Sequence, residues 1–138
     1  MDVCEWLEQV KKLDELIEAK QAEKDQLWAL ITRTTSNNDG MPHAVGGVSD
    51  PIGNITPKLL ALKDELDRLI DKYIQHKETV IKTLQQLPPK EYGALHRHYI
   101  RYMTWEDAAE DMGVCYMSVM RYRKKGLKTL KVLLNVTL

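Results

Sequence analysis

From Leu59 to Leu87 a side chain suited to a half-buried surface recurs at alternating steps of three and four: Leu59, Leu62, Leu66, Leu69, Tyr73, His76, Val80, Thr83 and Leu87. That spacing follows the 3.6-residue turn of a helix, and neither a strand nor a loop sustains it. No Pro or Gly interrupts the run after Pro57, and Leu60, Ile70, Ile74, Ile81 and Leu84 widen its apolar side. The spacing predicts one long helix from about Pro57 to Leu87, with Thr56 as its N-cap and Pro57 at the first helical position. A helix with such a stripe needs another surface to bury it on.

The first third of the chain supplies a partner. Trp6, Val10, Leu13, Ile17, Lys20, Lys24, Leu27 and Ile31 repeat at four and three between Val3 and Ile31, in a segment rich in Glu, Lys, Gln, Leu and Ala. Two of these stripe positions are lysines. Either their stems lie along the seam with the charge in water, or the stripe drifts onto Leu16 and Ala19. Between the two helices, residues 34–56 hold four Gly, two Pro and several Ser, Asn, Asp and Thr, which is turn chemistry in a long flexible loop. Residues 1–87 are therefore expected to form an antiparallel helical hairpin, coiled-coil-like, with surface left for the rest of the chain or for a second copy. His76, on the stripe without an evident second ligand, reads as a packing residue.

Pro88-Pro89 stops the second helix. Residues 88–138 then read as three helices. The first runs from Lys90 to about Tyr102, with Tyr92, Leu95, Tyr99 and Ile100 inward. The second, Trp105 to Met112, opens on Thr104 with Asp107 three residues on and stops at Gly113. The third runs from about Tyr116 to Leu134. Small residues where two helices cross (Ala108, Ala109), a glycine turn, Val114 in the corner and Val119 five residues later give the spacing of a helix-turn-helix; Leu127 and Leu130 continue its inner face. The fold class is all-α, with 1–87 and 88–138 as its two parts.

Charge separates these parts. The 138 residues carry 20 basic and 20 acidic side chains, yet residues 88–138 hold nine basic against five acidic, and from Cys115 onward Arg121, Arg123, Lys124, Lys125, Lys128 and Lys131 meet no acid. A basic, acid-free helix implies an anionic partner, and double-stranded DNA is the usual one. Other chemistry finds little footing. The four histidines are scattered, and Glu106-Asp107 with Glu110-Asp111 read as a solvated acidic face. No hydrolase, metalloprotease or phosphate-loop pattern occurs, so no enzyme, metal or cofactor is expected. Cys4 and Cys115 lie too far apart for a zinc or redox motif, which suits a cytoplasmic, reducing setting. No apolar run approaches the roughly 20 residues of a membrane span.

The segment from Leu87-Pro88 to Lys131 resembles region 4 of the sigma-70 family. The resemblance rests on the leading Leu-Pro, on Leu95 with Tyr99-Ile100, on Trp105-Glu106-Asp107-Ala108-Ala109, on Gly113-Val114, on Val119, and on Gly126-Leu127 with Leu130. It covers about a third of the chain and is free of gaps from Thr104 onward. With the N-terminal helices added, the whole chain is similar to small phage and prophage proteins related to the ArpU- and RinA-like regulators of late genes. That resemblance implies a transcription factor of a mobile element. It further implies contact with DNA through Thr104, Tyr116, Met117, Ser118, Met120, Arg121, Arg123, Lys124, Lys125 and Lys128.

Within that set Arg121 has the fork that reads guanine, Tyr116 can hydrogen-bond a base or phosphate, Met117 and Met120 suit thymine methyls, and the lysines suit phosphate. Arg97, His98 and Arg101 are expected to add backbone contacts. Cys115 stands where sigma factors carry a capping Ser or Thr, so the start of the last helix is expected to fray or shift. Specificity from so few contacts calls for a homodimer through the hairpin or for RNA polymerase as a second partner. Two other readings use the same features: a protein-interaction adaptor docking its Tyr/Met surface on RNA polymerase, and a small-terminase-like DNA-packaging subunit.

Overall fold

The computed structural model describes residues 2–37 and 51–137, with side chains from 2–33 and 56–135. All regular structure among them is helical. Helix α1 spans Val3–Asn37, α2 Pro51–Leu84, α3 Pro89–Leu95, α4 Trp105–Met112 and α5 Tyr116–Thr137; α3 runs on into a π-helical segment, His96–Ile100. No helix among the described residues is long and apolar enough to cross a membrane.

The element ends differ from the sequence expectation in instructive ways. Both long helices intrude on the expected 34–56 loop, of which residues 38–50 lie outside the described residues. Helix propensities differ by only about 0.7 kcal/mol between ordinary residues, so Thr, Ser and Asn at the end of a formed helix do not stop it. Thr56 and Pro57 are not the N-cap and first residue of α2. The helix starts at Pro51, which brings the same fixed φ to its first turn, and Pro57 lies inside it. The missing N–H of Pro57 removes one rung of the ladder there.

The chain divides into two compact units, Met1–Asp14 with Lys72–Leu138, and Glu15–Asp71. The division falls within α1 and α2 rather than at Leu87-Pro88. The first unit holds the main core: Val3, Leu7 and Val10 from the start of α1 and Val80 and Leu84 from the end of α2 pack with Leu87, Leu95, Tyr99, Ile100 and Leu130. Leu7, Leu84, Leu95 and Leu130 are wholly buried, each contributing about 1.5–3 kcal/mol by its removal from water. His76 is a packing residue: its Nε2–H donates to the Trp6 carbonyl at 2.8 Å, and the Trp6 ring meets the imidazole edge-on.

A smaller cluster, Ala94, Ala109 and Val119 with Trp105, Met112, Val114 and Met120 around it, joins α3, α4 and α5. Gly126 lets α5 approach α3 closely, since a Cβ there would stand 2.7 Å from Leu95 Cδ1.

In the second unit α1 and α2 meet. Lys20 on α1 pairs with Glu65 on α2 at 3.1 Å, and Trp28 shares a groove with Leu59 and Leu60. Leu66 is buried, whereas Ile17, Lys20, Lys24, Leu27 and Ile31 are half-buried. Leu16 and Ala19 are exposed. The seam thus stays on Lys20 and Lys24, whose stems cover apolar surface while Lys20 reaches a carboxylate.

Candidate nucleic-acid interface

The candidate interface is built outward from the turn between α4 and α5. Thr104 Oγ1 accepts the Asp107 N–H at 3.1 Å and so caps α4. The helix ends at Gly113, whose φ of 70° and ψ of 31° lie in the left-handed region that a Cβ disfavours. The Gly113 and Val114 N–H groups close the turn on the carbonyls of Glu110 and Ala109, at 3.1 and 3.0 Å. Buried Ala108 and Ala109 allow the crossing, and Val119, wholly buried, locks α5 onto it.

Helix α5 begins at Tyr116, immediately after Cys115, with no shift of register. The expectation of a weak cap overlooked sulfur. Ser118 Oγ lies 3.2 Å from Cys115 Sγ, and the Cys115 carbonyl takes the N–H groups of Ser118 and Val119. Hydrogen bonds from the Ser118 hydroxyl first, and then from its backbone N–H, hold the Cys115 thiol below its ordinary value.

The ten residues assigned to DNA separate into distinct environments. Met117, Arg121, Lys124 and Lys128 are all exposed, and their spacing of four, three and four puts them on one strip of α5. Met117 leaves 69% of its surface open, and Tyr116, at the start of the helix, 44%. Lys125 is exposed beside that strip. Thr104 is exposed with its oxygen engaged as the α4 cap.

Three of the ten point elsewhere. Ser118 is buried at 9% exposure and accepts Arg121 Nη2–H at 3.1 Å. Met120 is half-buried against the Ala94–Ala109–Val119 cluster. Arg123 turns inward, its guanidinium 5.2 Å from the centre of the Trp105 ring and its Nε buried without a hydrogen-bond partner. Counting charges along α5 includes Arg123 among the phosphate ligands; the Trp105 face draws it away by a cation–π contact.

The expected backbone contacts from the preceding segment are likewise engaged within the protein. Arg97 Nε donates to Asp111 Oδ2 at 2.6 Å and its Nη1 to the Gly93 carbonyl at 3.1 Å, while Arg101 reaches the same Asp111 oxygen at 3.6 Å. Between these two guanidinium groups the Asp111 carboxyl sits below its usual value, the Arg97 hydrogen bond being the main cause. His98 stacks on Trp105 with ring centres 3.9 Å apart and donates Nδ1–H to the Met103 carbonyl at 2.7 Å. Burial lowers its pKa, the Met103 bond opposes that, and the charge of Arg123 adds to the lowering. Trp105, flanked by His98 and Arg123, is the residue that sequence reasoning missed. A tryptophan opening a short helix looks like core filling unless the partners on two other helices are known.

No cluster of three or more His, Cys, Asp or Glu that could hold a metal occurs among the described residues. No protein-family model, no curated protein and no solved structure matches the chain.

Proposed function

We propose that this chain is a sequence-specific DNA-binding transcription regulator of phage type. In this reading α4, the Gly113 turn and α5 form a helix-turn-helix of the sigma-70 region 4 kind, preceded by a helical hairpin of α1 and α2. The observation that carries it is the strip Met117–Arg121–Lys124–Lys128. Four exposed side chains, three of them cationic, lie in line on a helix that has no acid from Cys115 onward. The helix is held from behind by buried Val119, Gly126 and Leu130. A rigid helix with a polar, cationic outer strip suits the major groove, with Arg121 on guanine and Lys124 and Lys128 on phosphates.

Three or four such contacts give weak binding at physiological salt. A second copy, paired through α1 and α2, or RNA polymerase on the same promoter, supplies the remaining affinity and the specificity.

Fluorescence anisotropy against labelled fragments from the surrounding genome, at two salt concentrations, tests the reading. One fragment retained above the rest at the higher salt supports it. Weak, uniform binding that disappears with salt overturns it, and leaves exposed Tyr116 and Met117 as a protein contact surface, to be tested by pull-down of polymerase.

A further inference from the structure

Arg121 does not lie free on the surface of α5. Its Nη2–H donates to Ser118 Oγ at 3.1 Å, one turn back on the same helix. Ser118 Oγ lies in turn 3.2 Å from Cys115 Sγ. An arginine has no acceptor, so at the first contact the serine oxygen accepts; its own hydrogen is then free to be donated to the sulfur. The three side chains form a directed chain, Arg121 to Ser118 to Cys115, at i, i+3 and i+6 of the helix start. Ser118 is nine-tenths buried and so has little freedom to turn away. Arg121 itself is exposed. One Nη2 hydrogen is committed to Ser118, which leaves the second Nη2 hydrogen and those of Nη1 and Nε as further donors.

We infer that Ser118 is a positioning residue for base recognition rather than a DNA contact: it anchors the Arg121 guanidinium so that the end-on edge of the fork is presented, already ordered, to guanine O6 and N7. The inference rests on the DNA-reading function proposed above. Its physical basis is preorganisation. A long arginine side chain normally gives up rotamer freedom on binding, and one held beforehand gives up less. The anchor acts through Arg121 alone, so it affects discrimination at one base pair and leaves phosphate contacts untouched.

The test uses the full chain and fluorescein-labelled duplexes selected from a randomised pool, with each base pair of the selected site then changed in turn. Ser118→Ala is expected to lower discrimination at the guanine read by Arg121 about tenfold. The slope of affinity against salt and the preferences at other positions should stay as in the wild type. In an Arg121→Ala background, Ser118→Ala should have no further effect on that base pair, a non-additivity that a merely structural role would not produce.

Full discrimination by a folded Ser118→Ala protein overturns the inference, as does an equal loss at every position. Side-chain 15N relaxation of Arg121 Nε in the wild-type protein provides a measurement that does not depend on the variant folding. A guanidinium as mobile as that of a solvated arginine overturns the anchor, and an ordered one supports it. A wild-type protein that selects no sequence from the pool overturns the DNA-reading function, and the inference with it.

Discussion

Gly113 and Gly126 are both required, for opposite reasons. Gly113 has a φ of 70° and nothing within 4 Å of where a Cβ would stand. Gly113→Ala therefore meets no clash and bears only the left-handed backbone cost, about 1 kcal/mol. Gly126 has ordinary helical geometry, so alanine there would gain about 1 kcal/mol of helix propensity in isolation. Here its Cβ would stand 2.7 Å from Leu95 Cδ1 and 3.4 Å from Glu91 Cβ, and Leu95 is wholly buried, so its methyl can move only by displacing core neighbours. Gly126→Ala is expected to destabilise by about 1–3 kcal/mol despite its better propensity, as urea midpoints would show. A stabilised variant would mean that α3 and α5 can separate at no cost. Of these two requirements only the first is legible in the sequence, because a glycine closing a short capped helix has a local reason. The requirement at Gly126 comes from a helix some thirty residues earlier. The contacts of Arg123 and Ser118 were hidden for the same cause: residue type and charge do not reveal that one lies over Trp105 and the other accepts a hydrogen bond from Arg121.

At the level of elements, the stripes of α1 and α2 were legible because every stripe position of the described part stays at least half-buried, even Lys20, Lys24 and His76. The helix ends were not, since propensity differences are too small to fix them. The π-helical segment after α3 left no mark either. A single turn with i to i+5 bonding, here the Arg101 N–H on the His96 carbonyl at 3.1 Å, shifts the apolar pattern by one position only. Its consequence is local. The chain leaves the turn through Tyr102, a non-glycine residue with a φ of 60°, which places the phenol where its O–H donates to Asp14 at 2.9 Å. That bond, between residues 88 apart in sequence, helps hold an unfavourable backbone. Tyr102→Phe is expected to lose about 1 kcal/mol in chemical unfolding. An unchanged midpoint would show that the apolar ring alone is sufficient.

For the whole molecule, two half-buried imidazoles set a pH dependence. Burial is the main cause that lowers both His96 and His98 from 6.5; Arg101, Arg97 and Lys77 add to it for His96, and Arg123 for His98. The unfolded chain then takes up protons before the folded one as pH falls. Stability is full above about 6.5 and is lost as pH drops from there through the lowered folded values. Thermal melts between pH 7.5 and 5 should show a falling Tm, and the His96→Gln/His98→Gln double variant should flatten that slope even if it melts lower throughout. A second expectation concerns the boundary at Leu87-Pro88, which charge and the double proline suggested. Leu95, Tyr99, Ile100 and Leu130 share their core with Leu7, Val10, Val80 and Leu84. A fragment of residues 88–138 should therefore lack a cooperative thermal transition, whereas the full chain should show one. A sharp transition in the fragment would restore the boundary at 87/88.

The core that supports α5 draws on both Met1–Asp14 and Lys72–Leu138, and Gln9 and Leu13 line one groove with Lys72, Gln75 and His76. The intervening residues Glu15–Asp71 are thus an insertion between two stretches that already meet. Mutation can lengthen or shorten such an insertion by matched helical turns in α1 and α2 together, leaving the residues of that core unchanged. Descendants of one ancestral gene would then differ most in the size of this middle section and least at their two ends.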